Sequence, residues 1–265
     1  MDTVVELLDN GADIDDPFGL LQTTPLQWAV WQKHIGIVRV LLSRGASQDH
    51  LNSLGWNTAF YCRPHAQHTD DGMLDVLRLI SNDAYQDFDL LDKEGWTVLH
   101  RVAAFGMASE VLELIKLGAK PEQTSIAYAP LSWTAIHHAV QYGNYATFEA
   151  LLPLYGGSAV TMTDERGWTL LHIAASLGHR DIVGHLLRSG SDPSTRSKPF
   201  WSHVPAELHG RCCTPLEVAA AQSSEMGQQY VHALQDLGIS ATDHALHSDL
   251  DSEDEADFWE AQEVL

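Results

Sequence analysis

Histidine recurs at a fixed place in this chain. His100, His137 and His172 each stand three residues after a threonine, in Thr97-Val98-Leu99-His100, Thr134-Ala135-Ile136-His137 and Thr169-Leu170-Leu171-His172. Imidazole could serve there as general acid, base or metal ligand. Catalysis needs one assembled site, however, and regular repetition along a chain argues for a structural duty instead. Two other groups hold metal-binding residue types: Cys62, His65 and His68, and His203, His209, Cys212 and Cys213. Neither has a familiar ligand spacing, and adjacent cysteines would strain to hold one tetrahedral ion together. There is no phosphate-binding Gly-x-x-x-x-Gly-Lys loop, no Gly-x-Ser-x-Gly elbow and no His-Glu-x-x-His pair. No catalytic residue, metal or cofactor is therefore expected. A hydrolase or a zinc site in the loops around these cysteines and histidines stands as the alternative.

The elements that carry these residues are read best from Asp164 to Asp192. Gly167 supplies a turn, Thr169 offers a capping hydroxyl, and Leu171, Ala174 and Ala175 share one helix face. The first helix stops at Gly178. Ile182, Val183, Leu186 and Leu187 then repeat the facial spacing in a second helix, with Asp181 near its positive end and Gly190 placed to end it. Each helix is only about ten residues long, below the roughly 12 to 15 at which an isolated helix is stable in water. The pair must be stacked on neighbours.

Placing the capping position along the chain gives Thr24, Asn57, Thr97, Thr134, Thr169 and Thr214, at gaps of 33, 40, 37, 35 and 45 residues. A period near 33 with loop-sized insertions marks a helical repeat array. Thr24-Pro25-Leu26, Thr97-Val98-Leu99-His100, Thr169-Leu170-Leu171-His172 and Thr214-Pro215-Leu216, each followed downstream by Gly-Ala or Gly-Ser, resemble ankyrin repeats, and the resemblance covers about residues 4 to 240. It implies an all-α ankyrin-repeat solenoid of stacked helix-turn-helix units joined by hairpin loops. It also implies that the repeated histidine bonds to the backbone and to the threonine hydroxyl.

The expected organisation is a half-repeat or cap over 1-14, a solenoid of about six repeats over 15-240 and an acidic tail over 241-265. Insertions fall near 63-72 and 194-213. Gln27 replaces the histidine of the first repeat, which predicts an altered hydrogen-bond network there. The second repeat departs furthest, with Asn57 and Phe60 at the threonine and histidine positions. Pro153 is expected to shorten its helix. Glu217 takes the histidine position in the sixth repeat, whose polar Gln222, Ser223, Ser224, Gln228 and Gln229 suit a terminal unit.

The chain has 265 residues, with 15 Lys and Arg against 36 Asp and Glu and a formal net charge of −21. Residues 241-265 hold nine of the acids and no Lys or Arg. Such a surface repels phosphate backbones and anionic lipid, and no local basic patch is evident, so neither nucleic acid nor membrane is an expected partner. The three cysteines are too few for a disulfide framework, and no run of about 18 apolar residues is present. The start, Met1-Asp2-Thr3-Val4-Val5-Glu6, lacks a basic and apolar leader. An intracellular, non-secreted chain, cytoplasmic or nuclear and monomeric, is expected. The tail around Phe258 and Trp259 reads as disordered, either solubilising or a short motif that folds on a partner, and folding back onto the last helices is a third option.

Trp56, Trp96, Trp133 and Trp168 each stand directly before the capping position, and stacking would align them in a column. By resemblance, Lys93, Glu94, Glu165 and Arg166 lie at hairpin positions, and Trp31, Phe105 and Tyr142 at first-helix ends, on the concave surface that ankyrin arrays use for partners. Aromatics there could anchor a partner protein or an extended basic segment, with Asp92, Glu94, Asp164 and Glu165 favouring a cation. Alternatively each indole packs on the adjacent hairpin and stiffens the stack. Further readings are an aromatic cage for lysine or methyl-lysine, and a fragment of a larger signalling protein.

Overall fold

The computed structural model describes residues 2-62, 72-83 and 87-240. The insertion after Cys62, its His65 and His68, and the acidic tail lie outside the described residues. The chain divides into two compact units, residues 1-156 and 157-265. The first holds α1 (Asp2–Asp9), α2 (Pro25–Trp31), α3 (Ile35–Ser43), α4 (Met73–Asp83), α5 (Val98–Phe105), α6 (Ala108–Lys116), α7 (Ala135–Gln141) and α8 (Tyr145–Tyr155). The second holds α9 (Leu170–Ser176), α10 (Arg180–Arg188), α11 (Pro215–Gln222) and α12 (Ser224–Gln235). Among the described residues the only β pairings are two isolated bridges, Phe18 with Thr23 and Thr163 with Thr169.

Within each unit, first helices pack on first helices and second on second: α5 on α7, α3 on α4, α4 on α6 and α6 on α8, then α9 on α11 and α10 on α12. The cores follow the apolar stripes, with Leu26, Val38, Leu99, Leu114, Ile136 and Leu151 buried in the first unit and Leu171, Leu186 and Leu234 in the second. In the second repeat the first helix shrinks to a 3-10 turn, Thr58–Tyr61, capped by the Asn57 side chain at Ala59 N, 3.1 Å.

In three repeats the residue three places after the cap ties its own helix start to the next hairpin. Nδ1 of His100, His137 and His172 accepts the amide of Thr97, Thr134 and Thr169 at 3.0, 3.2 and 3.1 Å. That bond leaves the proton on Nε2, which in His100 donates to Gln123 O and in His172 to Cys213 O, each at 2.9 Å. Gln27 does the same: its Oε1 accepts Thr24 N at 3.1 Å and its Nε2 donates to His50 O at 2.7 Å. The predicted alteration at Gln27 is thus absent, because an amide, like a neutral imidazole, accepts at one end and donates at the other. Glu217 only accepts, from Thr214 N at 2.7 Å.

These buried rings must stay neutral, and burial pushes His100 and His172 down to about 4. A histidine depressed in the folded state contributes stability that is complete above its unfolded pKa of about 6.5 and is lost as pH falls toward 4. The urea midpoint should therefore fall between pH 6.5 and 4. Substituting glutamine for both His100 and His172, which retains both bonds and does not titrate, should flatten that slope; an unchanged slope would refute the assignment. Removing the hydroxyl that caps α9, Thr169→Ala, should cost about 1-2 kcal/mol in the same titration, with serine restoring most of it.

The expected shortening at Pro153 does not occur. Helix α8 continues to Tyr155 with Pro153 inside it. Proline lacks the amide that would reach back to the Glu149 carbonyl, and Glu149 lies on the exposed face where water can satisfy that carbonyl.

Candidate functional site

The hairpins ahead of the first helices are built on a carboxylate or amide four residues before tryptophan. Asn52 Oδ1 accepts Leu54 N and Trp56 N at 2.8 and 3.0 Å; Asp92 Oδ1 accepts Glu94 N and Trp96 N at 3.0 and 2.9 Å; Asp164 Oδ1 accepts Arg166 N and Trp168 N at 2.9 and 3.0 Å. Gly95 and Gly167 take the turn at φ +83° and +71°, and a Cβ on either would lie within 2.7 Å of the following hairpin's backbone. Each hairpin then receives an amide from the next: Lys93 N to Leu54 O, 3.0 Å, Ile126 N to Gly95 O, 2.9 Å, and Lys198 N to Arg166 O, 2.8 Å.

Three expectations about charge are corrected here. Asp92 and Asp164 are buried, and their second oxygens are also taken. Asp92 Oδ2 accepts Trp56 Nε1 at 3.0 Å and Arg101 Nε at 2.7 Å; Asp164 Oδ2 accepts Arg166 Nε and Nη2 at 3.0 and 2.8 Å. Neither is open to a cationic partner. Arg166 is no exposed contact either, since it is buried, stacked 3.8 Å over the Trp168 ring and bonded to His203 O. Glu94 and Glu165 are exposed, Glu94 with an ion pair of 2.8 Å to Arg101. The recurrent Asp/Asn-x-x-Gly-Trp pattern was the sequence signal for this hairpin duty.

The tryptophan column is buried as well. Trp56, Trp96, Trp133 and Trp168 are 6, 6, 3 and 4% exposed, so the expectation of indoles as exposed anchors is overturned in favour of packing. Each lies against ring or guanidinium neighbours: Trp56 on Phe60, Trp96 on Tyr128, Trp133 on Tyr128 and Trp168 under Arg166. A flat indole at the foot of the hairpin fills the gap between hairpin and helix, which removes it from solvent.

What remains exposed lies above the buried rings. Phe105, at the end of α5, is 59% exposed, and Tyr142, just past α7, is 39% exposed. Their rings meet edge to face at 4.6 Å over Trp96, which lies 6.4 Å from Phe105 and 5.9 Å from Tyr142. The Tyr128 and Tyr142 hydroxyls bond at 3.0 Å, and His138 sits beneath, 4.2 Å from the Trp96 ring and bonded to Ser125 Oγ at 2.8 Å. Burial lowers His138 to about 2, so this floor is neutral, and burial followed by the Tyr128 contact raises the Tyr142 phenol, keeping it protonated. Trp31 is half-buried and packs at 4.7 Å on Trp28, which is itself 41% exposed beside Phe18. Tyr128, Trp28 and Phe18 were missed in the sequence because they do not recur in register.

The connection over 194-213 is a bonded hairpin. Ser197 N donates to Cys213 O, Cys213 N to Ser197 Oγ and Gly210 N to Phe200 O, at 2.9, 2.9 and 3.0 Å. Cys213 is buried whereas His203, His209 and Cys212 are exposed, and no group of three His, Cys, Asp or Glu among the described residues is arranged to hold a metal ion. The hairpin does gather Arg196, Lys198 and Arg211, a local basic patch that linear composition did not reveal.

Capped helix pairs in register, tied by one hydrogen-bond scheme and topped by exposed aromatics, define a helical-repeat module for protein interaction. The chain belongs to the ankyrin repeat family: the description "Ankyrin repeats (3 copies)" matches residues 65-159 and 111-197, and "Ankyrin repeat" matches 22-53. It is 34% identical to the nuclear factor NF-kappa-B p105 subunit of Gallus gallus over 65% of this chain and 17% of that one. With the B-cell lymphoma 3 protein homolog of Mus musculus it is 28% identical over 73% of this chain and 42% of the relative. The crystal structure of the ankyrin repeat domain of Bcl-3, described as a unique member of the IkappaB protein family, matches at a TM-score of 0.61 and 25% identity, covering 86% of this chain and 90% of that one. The chain thus spans well under two thirds of the curated relatives' length. No helix among the described residues is long and apolar enough to cross a membrane.

Proposed function

We propose that this chain is a non-catalytic, intracellular recognition module that binds an extended segment of a partner protein across Phe105 and Tyr142. The observation that carries this is the pair of exposed rings, 4.6 Å apart on consecutive repeats and seated on the buried Trp96. Aromatics held rigidly by what lies beneath them lose little freedom on binding, which is what concentrates affinity in a few residues. The partner offers apolar side chains to these rings, and a basic residue suits the exposed Glu94 and the net charge of −21.

The reading as a lysine or methyl-lysine cage draws less support. Phe105 and Tyr142 touch each other, which closes the gap a cation would need between them.

The test is affinity capture with wild-type chain and with Phe105→Ala/Tyr142→Ala. Each truncation of a central aromatic is worth about 2 kcal/mol, so a captured partner should bind roughly 30-fold or more weakly to the double variant. Because both rings are partly exposed, the urea midpoint should move little. Identical partner lists from the two baits would remove this surface from consideration.

A further inference from the structure

The hairpin over 194-213 is basic in an acidic chain. It carries Arg196, Lys198 and Arg211 against Glu207 alone, and its two arms are bonded so that Arg196 and Lys198 stand on one and Arg211 on the other. Lys198 and Arg211 line one shallow recess with Phe200 and Trp168, and Trp201, 50% exposed, lies flat against Gly210 nearby. In the same unit two other guanidinium groups have carboxylates: Arg166 pairs with Asp164 at 2.8 Å and Arg180 with Asp236 at 2.6 Å. Among the described residues, Arg196, Lys198 and Arg211 have no carboxylate within 4.0 Å; the Arg196 Nη1 donates instead to the Cys212 carbonyl at 2.9 Å. Three cations on one hairpin, without a carboxylate among the described residues, in a chain of 36 acids call for an anionic partner.

We propose that this hairpin is the docking site for the chain's own tail, residues 241-265. The tail carries nine acids and no Lys or Arg, with Phe258 and Trp259 between Asp257 and Glu260. It follows α12 in sequence after the five residues 236-240, and α12 belongs to the same unit as the hairpin. A chain of its length spans up to roughly 80 Å when extended, which is ample reach within one compact unit. Tethering raises its effective concentration to about the millimolar range, so a few weak charge contacts and one aromatic contact on Trp201 suffice to hold it. Docked, the tail neutralises the basic patch and hides it, and with it the Trp201 face, from other anionic ligands. This inference stands apart from the Phe105 and Tyr142 surface.

Zero-length carbodiimide crosslinking of the full chain, read by mass spectrometry, tests it. A bond between the Lys198 amine and a carboxylate within 241-265 is expected at low salt and should be lost at high salt, where screening removes surface attraction. Mixing isotopically light and heavy chains separates the cases: crosslinks confined to light-light and heavy-heavy pairs support docking within one chain, and mixed pairs alone would overturn it in favour of a second copy. The exposed Cys212 thiol gives an independent readout, Cys62 and Cys213 being buried. Exchanging the nine tail acids for Asn and Gln, which leaves the folded repeats untouched, should accelerate Cys212 alkylation several-fold, as should Lys198→Glu with Arg211→Glu. Absence of any Lys198-to-tail crosslink, or an alkylation rate equal in all three chains, overturns the proposal.

Discussion

Replacing Asp164 with alanine lowers the stability of the fold by about 3-5 kcal/mol, the range seen when one partner of a buried ion pair is removed. The Asp164 carboxylate is fully enclosed and the Arg166 side chain is 4% exposed. Alanine would take that carboxylate from the guanidinium, which also bonds the His203 carbonyl, and would release the amides of residues 166 and 168 that Asp164 Oδ1 holds. The chain contains its own remedy. In the second repeat the same hairpin reads Asn52-Ser53-Leu54-Gly55-Trp56, where Asn52 holds the two amides and leucine stands at the Arg166 position. Asp164→Asn combined with Arg166→Leu should accordingly recover to within about 1 kcal/mol of wild type, because a buried pair replaced whole by an apolar group is close to neutral. Urea midpoints at constant m-value measure both variants. A mild Asp164→Ala, or a double variant as damaged as the single, would show that the pair is not the fastening described here.

Trp96→Ala is the second large effect, again about 3-5 kcal/mol, as for deletion of a buried aromatic from a packed site. The indole supports Phe105, Tyr128, Tyr142 and His138 on one side and the Arg101 guanidinium, 5.4 Å from its ring, on the other. Phe105→Ala, by contrast, removes a ring that is 59% exposed and should cost below about 1 kcal/mol. Both should weaken partner capture, the first by collapsing the floor and the second by removing the contact. Thermal or urea unfolding separates them: if Trp96→Ala kept wild-type stability, the indole would be no scaffold, and its burial would need another explanation. A variant lacking several of the buried tryptophans would lose its partner through unfolding, which makes Phe105 and Tyr142 the informative pair.

The sequence by itself determined whatever is decided within a few residues. A threonine hydroxyl reaches the amide three residues on, a glycine permits a left-handed turn, and apolar residues at three- and four-residue spacing choose a face. Repetition of those short-range signals made the family and the helix pairs legible, including the structural duty of His100 and His172. Tertiary structure decided which residues are left over for a partner. Trp56 and Asp92 are 36 residues apart and meet only when repeats stack, and that meeting buries the indole and uses up the carboxylate. The same holds for Arg166 and for the cations of the 194-213 hairpin, which are brought together by backbone bonds across the loop. Exposure is a property of neighbours, and neighbours from other repeats carry no mark in the local pattern. For that reason the recurrence of the tryptophans was readable while their burial was not, and Phe105 and Tyr142 are the residues we propose for the role first suggested by the rings beneath them.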